Sequence, residues 1–287
     1  MVKYSRFTAY VITSFLLLAF SAPRAVKYSG KVTQKGDYKL GVQYSANIST
    51  NTLCQAYANL TDEIEDFHQP ESEEKVYEEK YDGYTKTLVA YSLDPLSIGS
   101  EIYLRYGVLS DWEVGLSYGS GLGFQLGYQL FDESNIDGAL SLEYSSQEYS
   151  LPGKFGDFQE FIGFEFNRKD ILSHFRMSTS LGKNERFGYV GYGHSLVYSQ
   201  IEYGLSSSGI EYINPDNEII QLGKGDSFGY FSYGTYLNTK LGYEWVFVLI
   251  GANLYYQDYG EIELPLSEKV SMDGLTIVPS LGLQLSF

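Results

Sequence analysis

The chain has 287 residues, 16% of them aromatic, with 30 Gly, 7 Pro, one Cys and a formal net charge of -16. A lone cysteine, Cys54, excludes an internal disulfide framework and a cysteine-based zinc centre. So acidic a chain lacks the surplus of Lys and Arg that phosphate neutralisation needs, which excludes nucleic acid as a partner.

Lys3 and Arg6 precede an apolar run from Ala9 to Phe20, and small residues follow. This is the pattern of a secretory signal peptide over residues 1–21, cut after Ser21 with Ala19 two places before it. About a dozen apolar residues are too few to cross a hydrocarbon layer of roughly 30 Å as a helix, which argues against an uncleaved anchor. Loss of Lys3 and Arg6 would leave the mature chain two charges more acidic. Residues 22–36 are expected to be a periplasmic segment, with a barrel over 37–287.

From residue 38 onward apolar and small or polar residues alternate with the period of two that marks a strand. The predicted strands lie at 38–46, 98–108, 112–119, 121–131, 138–145, 158–166, 171–181, 189–198, 228–237, 241–256 and 275–287, with one weak strand within 206–220. The stretch 84–93 is read as a loop excursion or an extension of its neighbour. Short connections at 109–111, 132–137, 167–170 and 237–240 carry Asn, Asp, Ser or Lys and read as hairpin turns. Longer polar connections fall at 47–96, 146–157, 214–227 and 257–274, the first of them an acidic extracellular loop. Short turns alternating with long loops predict an all-β fold, a single closed antiparallel transmembrane β-barrel of about 12 strands, with 10 to 14 allowed.

A soluble β-sandwich would alternate too. In GLGFQLGYQLF, residues 121–131, however, one face holds Leu122, Phe124, Leu126, Tyr128 and Leu130, while the other holds Gly123, Gln125, Gly127 and Gln129. A face turned to water would be richer in Lys, Thr and Glu, and aromatic residues near strand ends suit a membrane interface. The expectation is lipid on the first face and a lumen on the second.

The chain ends LGLQLSF, and this ending resembles the closing strand of Gram-negative outer-membrane proteins, whose final aromatic is read by the barrel-assembly machinery. The resemblance implies an outer-membrane location, contact with outer-membrane lipid, and Phe287 as the assembly signal. Residues 97–130, with Arg105, Tyr106, Gly107 and Glu113 about a short turn, also resemble barrel transporters of the putative meta-pathway phenol-degradation type. The acidic insert at 62–82 has no counterpart there.

Catalytic chemistry finds little support. Outer-membrane lipid hydrolases carry His and Ser two apart on one strand, so that base and nucleophile share a face. Here His194 directly precedes Ser195, Arg176 stands two after His174, and His68 lies in a loop. The ten acidic residues within 61–83 match no EF-hand spacing. No enzyme activity, cofactor or metal site is therefore expected.

Alternation puts Glu101, Arg105, Glu113, Glu143, Glu165 and Arg176 on the lumen face as candidates for selectivity or for an interior salt-bridge network. Small lumen residues Gly107, Gly115, Ser117, Gly123 and Gly127 suggest an open wall. The expected function is a passive channel or transporter for small solutes with a preference for cations. The alternatives are a non-conducting structural or surface-binding barrel and, more remotely, an outer-membrane lipid hydrolase.

Overall fold

The computed structural model describes residues 25–54, 94, 96–119, 121–133, 135–149, 164–205, 212–213, 219–220, 226–262, 270–271 and 273–287. The expected signal peptide, nearly all of the acidic loop, His68 and the excursion at 84–93 lie outside them.

In chain order the strands are β1 (Tyr38–Ser49), β2 (Ser97–Leu109), β3 (Trp112–Tyr118), β4 (Leu122–Glu133), β5 (Ile136–Tyr149), β6 (Phe164–Leu181), β7 (Gly188–Leu205), β8 (Tyr212–Ile213), β9 (Ile219–Ile220), β10 (Asp226–Tyr243), β11 (Val246–Asp258), β12 (Glu261–Ile262), β13 (Val270–Ser271) and β14 (Gly274–Ser286). Ten of them form one closed barrel in the order β1-β14-β11-β10-β7-β6-β5-β4-β3-β2. The two-residue pairs β8–β9 and β12–β13 stand apart from it. Every barrel pairing is antiparallel, and the first and last strands close the seam with Leu40 opposite Leu285 and Val42 opposite Leu283. Tyr38 and Phe287 exchange backbone hydrogen bonds of 3.0 and 2.9 Å at its end.

The barrel therefore has ten strands, two fewer than twelve and at the lower end of the expected range of 10 to 14. The expected turn at 167–170 is strand: Arg168 and Asp170 point inward and pair at 2.9 Å, and β6 continues unbroken past them. Among the described residues, the expected strand within 206–220 supplies only β8 and β9, which stand outside the barrel. The expected turn at 237–240 is also strand, because Asn238 and Lys240 are buried inside while Leu237 and Leu241 stay outside. The reversal falls instead at Glu244, whose φ of 54° lies in the left-handed region of tight turns. The two displaced turns have one cause. Polar residues read as turn formers are compatible with a strand whose inner face is polar.

Two-residue turns join β2 to β3 and β10 to β11, and the termini of β1 and β14 share their end of the barrel. The long connections gather at the other end, which is the extracellular side in this architecture. Strands β6, β7 and β10 each run 18 residues, while a tilted strand needs only about 9–11 to cross hydrocarbon. The excess projects on the loop side, where the outward Lys169 and Glu202 pair at 2.8 Å.

The alternation is realised in three dimensions. Leu122, Phe124, Leu126, Tyr128 and Leu130 are 40–49% exposed, and Gly123, Gln125, Gly127 and Gln129 face inward. The same division holds around the wall, from Ile102, Leu104 and Tyr106 on β2 to Leu281, Leu283 and Leu285 on β14. Insertion of a few residues between Glu244 and Trp245 should leave the barrel intact, whereas the same insertion between Asn238 and Thr239 should prevent closure. Heat-modifiable mobility on gels checks both.

Candidate functional site: an occupied lumen

The lumen is not empty. Residues 25–36, expected to lie in the periplasm, instead turn into the barrel and run up its interior as a strap with a bend at Gly30 and Lys31. Ala25, Val26, Lys27, Tyr28, Ser29, Val32 and Thr33 are all buried. The reason is chemical: the strap has no acidic side chain and carries Lys27, Lys31 and Lys35, while the wall offers carboxylates and amides.

The strap enters at the short-turn end, where Lys35 bridges Gly107 and the Gly36 N–H donates to the Gly107 carbonyl at 2.9 Å. A Cβ on Gly107 would stand 1.9 Å from the Gln34 carbonyl oxygen, so the glycine makes room for the strap rather than an opening in the wall. One step further in, Glu113 Oε2 accepts from both the backbone N–H and the hydroxyl of Thr33, each at 2.9 Å. The Val32 N–H donates to Gln129 Oε1 at 2.8 Å, and Gln129 Nε2 returns a bond to the Gly30 carbonyl at 2.9 Å. The Gly30 N–H donates to Ser178 Oγ at 2.9 Å, and a Cβ there would meet the Asp137 carbonyl oxygen at 2.2 Å. Lys31 reaches Asp132 at 3.0 Å and Asp137 at 3.7 Å.

Deeper still, Tyr28 is the strap's anchor. Its hydroxyl donates to Glu143 Oε2 at 2.7 Å, and the guanidinium groups of Arg105 and Arg176 lie 4.2 and 5.4 Å from its ring centre, within cation–π range. Asn238 donates to the carbonyls of Val26 and Tyr28 at 3.3 and 3.0 Å. Arg105 donates to the Lys27 carbonyl at 3.0 Å, and the Lys27 ammonium pairs with Glu101. Ala25 ends the described strap in a small apolar cluster with Leu172, Val197, Tyr255 and Val278.

Of the candidates named from sequence, Glu101, Arg105, Glu113, Glu143 and Arg176 all face the lumen, and each meets the strap or a group that holds it. Arg176 pairs with Glu113 at 3.0 Å, both fully buried. Gly127 leaves space for that pair, since a Cβ there would fall 2.7 Å from Glu113 Cγ. Glu165 lies on β6, with its side chain outside the described set. Phe287 is 57% exposed at the foot of the seam, its ring 5.8 Å from Tyr38.

His194 and Ser195 do face opposite sides: His194 meets Tyr233 at 2.7 Å outside, and Ser195 points inward. Sequence spacing missed the cross-strand partner, for β6–β7 register sets His174 against Ser195 and their side chains meet at 2.7 Å. That pair is 1% and 2% exposed, with the Tyr28 ring 6.2 Å from the imidazole. The strap is the other element the spacing missed. Its signal was present as three lysines at intervals of four in a stretch without acids.

A continuous apolar exterior around a polar, occupied interior, closed so that no edge is left unpaired, is compatible with lipid and not with water. The chain is a transmembrane β-barrel of the outer-membrane type. No family model and no curated protein matches it. Among solved structures, Ail, the attachment invasion locus protein of Yersinia pestis, is similar over 88% of this chain and 100% of its own, with 10% identity and a TM-score of 0.32. The outer membrane protein OprG of Pseudomonas aeruginosa is similar over 91% and 99%, with 9% identity and a TM-score of 0.35. Neisserial surface protein A gives 88% and 96%, 8% identity and 0.34.

At the foot of the barrel, in the turn after β6, Glu185 pairs with Lys240 at 2.8 Å. Burial acts to raise its carboxyl, but Lys240 and Lys39 outweigh that and hold it below the ordinary 4.5. A depressed carboxyl contributes stability above its unfolded value and loses it as pH falls through the folded one. Thermal stability of the folded barrel should therefore fall as pH drops below 4.5, and Glu185→Gln should flatten that part of the profile.

Removal of Glu113 would strand the buried Arg176 and two strap donors. Glu113→Ala should cost about 3–5 kcal/mol in denaturant unfolding. Gly107→Ala should unseat the strap without opening the barrel, read as new tryptic cleavage after Lys27 and Lys31 in protein that keeps its heat-modifiable mobility.

Proposed function

We propose that the protein is an outer-membrane channel for small solutes, held shut at rest by its own N-terminal strap. The observation that carries this reading is the manner in which the strap is held. It is bound to the wall by hydrogen bonds and ion pairs, with apolar packing at Val26, Tyr28 and Ala25. A wall of Ser, Gln, Asn and charged side chains is one that water can solvate once the strap leaves.

Terms of similar size oppose each other in seating the strap. Hydrogen bonds to charged groups contribute about 1.5–3 kcal/mol each, and each ordered residue costs about 1–2 kcal/mol of backbone entropy. Departure of the strap would also remove Lys27 and Lys31 from Glu101, Asp132 and Asp137, leaving the lumen more negative. Cations are then the preferred solutes.

A second reading, a non-conducting barrel that displays its loops at the cell surface, is favoured by the same occupied lumen if the strap never leaves. Planar-bilayer recording separates the two. The wild-type barrel should be closed for most of the record, Gly30→Ala should raise its open probability, and reversal potentials across a salt gradient should show cation preference. Silence of folded Gly30→Ala protein under all conditions supports the surface-display reading.

A further inference from the structure

The strap also reports what the lumen binds. Each of its features is read by a specific wall group: the Lys27 ammonium by Glu101, the Tyr28 phenol by Glu143 between Arg105 and Arg176, and the backbone by Arg105, Asn238, Gln129 and Ser178. The backbone contacts run from the Val26, Lys27 and Tyr28 carbonyls through both groups of Gly30 to the Val32 N–H. The chain bends at Gly30 and Lys31, where Ser29 Oγ meets the Lys31 backbone, and Gly30 passes where no side chain fits, against the Asp137 carbonyl. Lys31 closes the series at Asp132. These contacts suit a linear ligand, since main-chain groups are met in chain order and the charged contacts call for amines four residues apart.

We infer that the lumen is a binding site for a lysine-bearing peptide, occupied in cis by residues 25–36 and open to the same chemistry in trans when the strap is out. This rests on the strap being releasable, as in the channel reading above, but it does not require that the barrel conduct. The covalent tether at Gly36 gives the cis occupant its advantage, because a linked segment competes at a high effective concentration. An external peptide must therefore be tested against an untethered strap.

Gly36 lies in an exposed turn with open space around it, which allows the tether to be cut after folding. A protease site is inserted after Gly36, the whole chain is folded in detergent, the site is cleaved, and a fluorescent synthetic peptide of residues 25–36 is added in excess. The nicked barrel should take up the labelled peptide and release the strap fragment, while the uncut barrel takes up little. A peptide carrying Lys27→Gln and Lys31→Gln should bind about tenfold more weakly or worse, the size expected from losing charge-assisted bonds.

If the insertion blocks folding, intact Gly30→Ala protein, whose own strap no longer seats, is used for the same uptake measurement. Retention of the fragment with no uptake would show the strap to be a fixed part of the core and overturn the proposal. Equal binding of the glutamine peptide would overturn its cationic class. Conductance of the nicked barrel is recorded in parallel: uptake with silent bilayers sinks the channel reading alone, and conductance without uptake sinks the peptide site alone.

Discussion

In hydrocarbon a backbone N–H or C=O without a partner costs several kcal/mol, and the chain contains too many of them for any open sheet to survive there. The pairing of β1 with β14 is the answer to that constraint, and the remaining structure follows from it. Once the sheet closes on itself, one face of every strand must meet lipid and the other must meet an interior of fixed width. Leu122 and Phe124 outside, Gly123 and Gln125 inside, are the two halves of one requirement.

Ten strands enclose a space too wide for facing side chains alone to fill and too narrow to be left as bulk water without effect on the wall. The strap resolves this by filling the axis with backbone, which brings its own donors and acceptors. That is why the wall carries amides at Gln129 and Asn238, which bond the strap's backbone. The buried Glu113–Arg176 pair fits the same logic. By itself it would be a costly arrangement, but Thr33 supplies two further donors to the carboxylate.

The glycines show how the same residue pattern supports opposite conclusions. Gly107 and Gly127 read as gaps in a pore wall, and they are gaps, but Gln34 occupies one and the Glu113–Arg176 pair borders the other. Likewise the stretches at 167–170 and 237–240 read as turns because their polar residues favour turns in water. Inside a polar lumen Arg168, Asp170, Asn238 and Lys240 find partners, and the penalty that would end a strand there vanishes.

Period-two alternation with an apolar face and a Gly, Ser and Gln face was sufficient to determine an all-β membrane barrel, its lipid-facing residues and the inward set Glu101, Arg105, Glu113, Glu143 and Arg176. That is a local property, since the face of a residue depends only on its parity within one strand. The strand count, the turn at Glu244, the meeting of His174 with Ser195 and the course of residues 25–36 up the axis were decided by tertiary structure alone. Each depends on which groups face one another across the barrel, and register and lumen occupancy join residues such as Thr33 and Glu113, or Tyr28 and Glu143, that no window along the chain brings together.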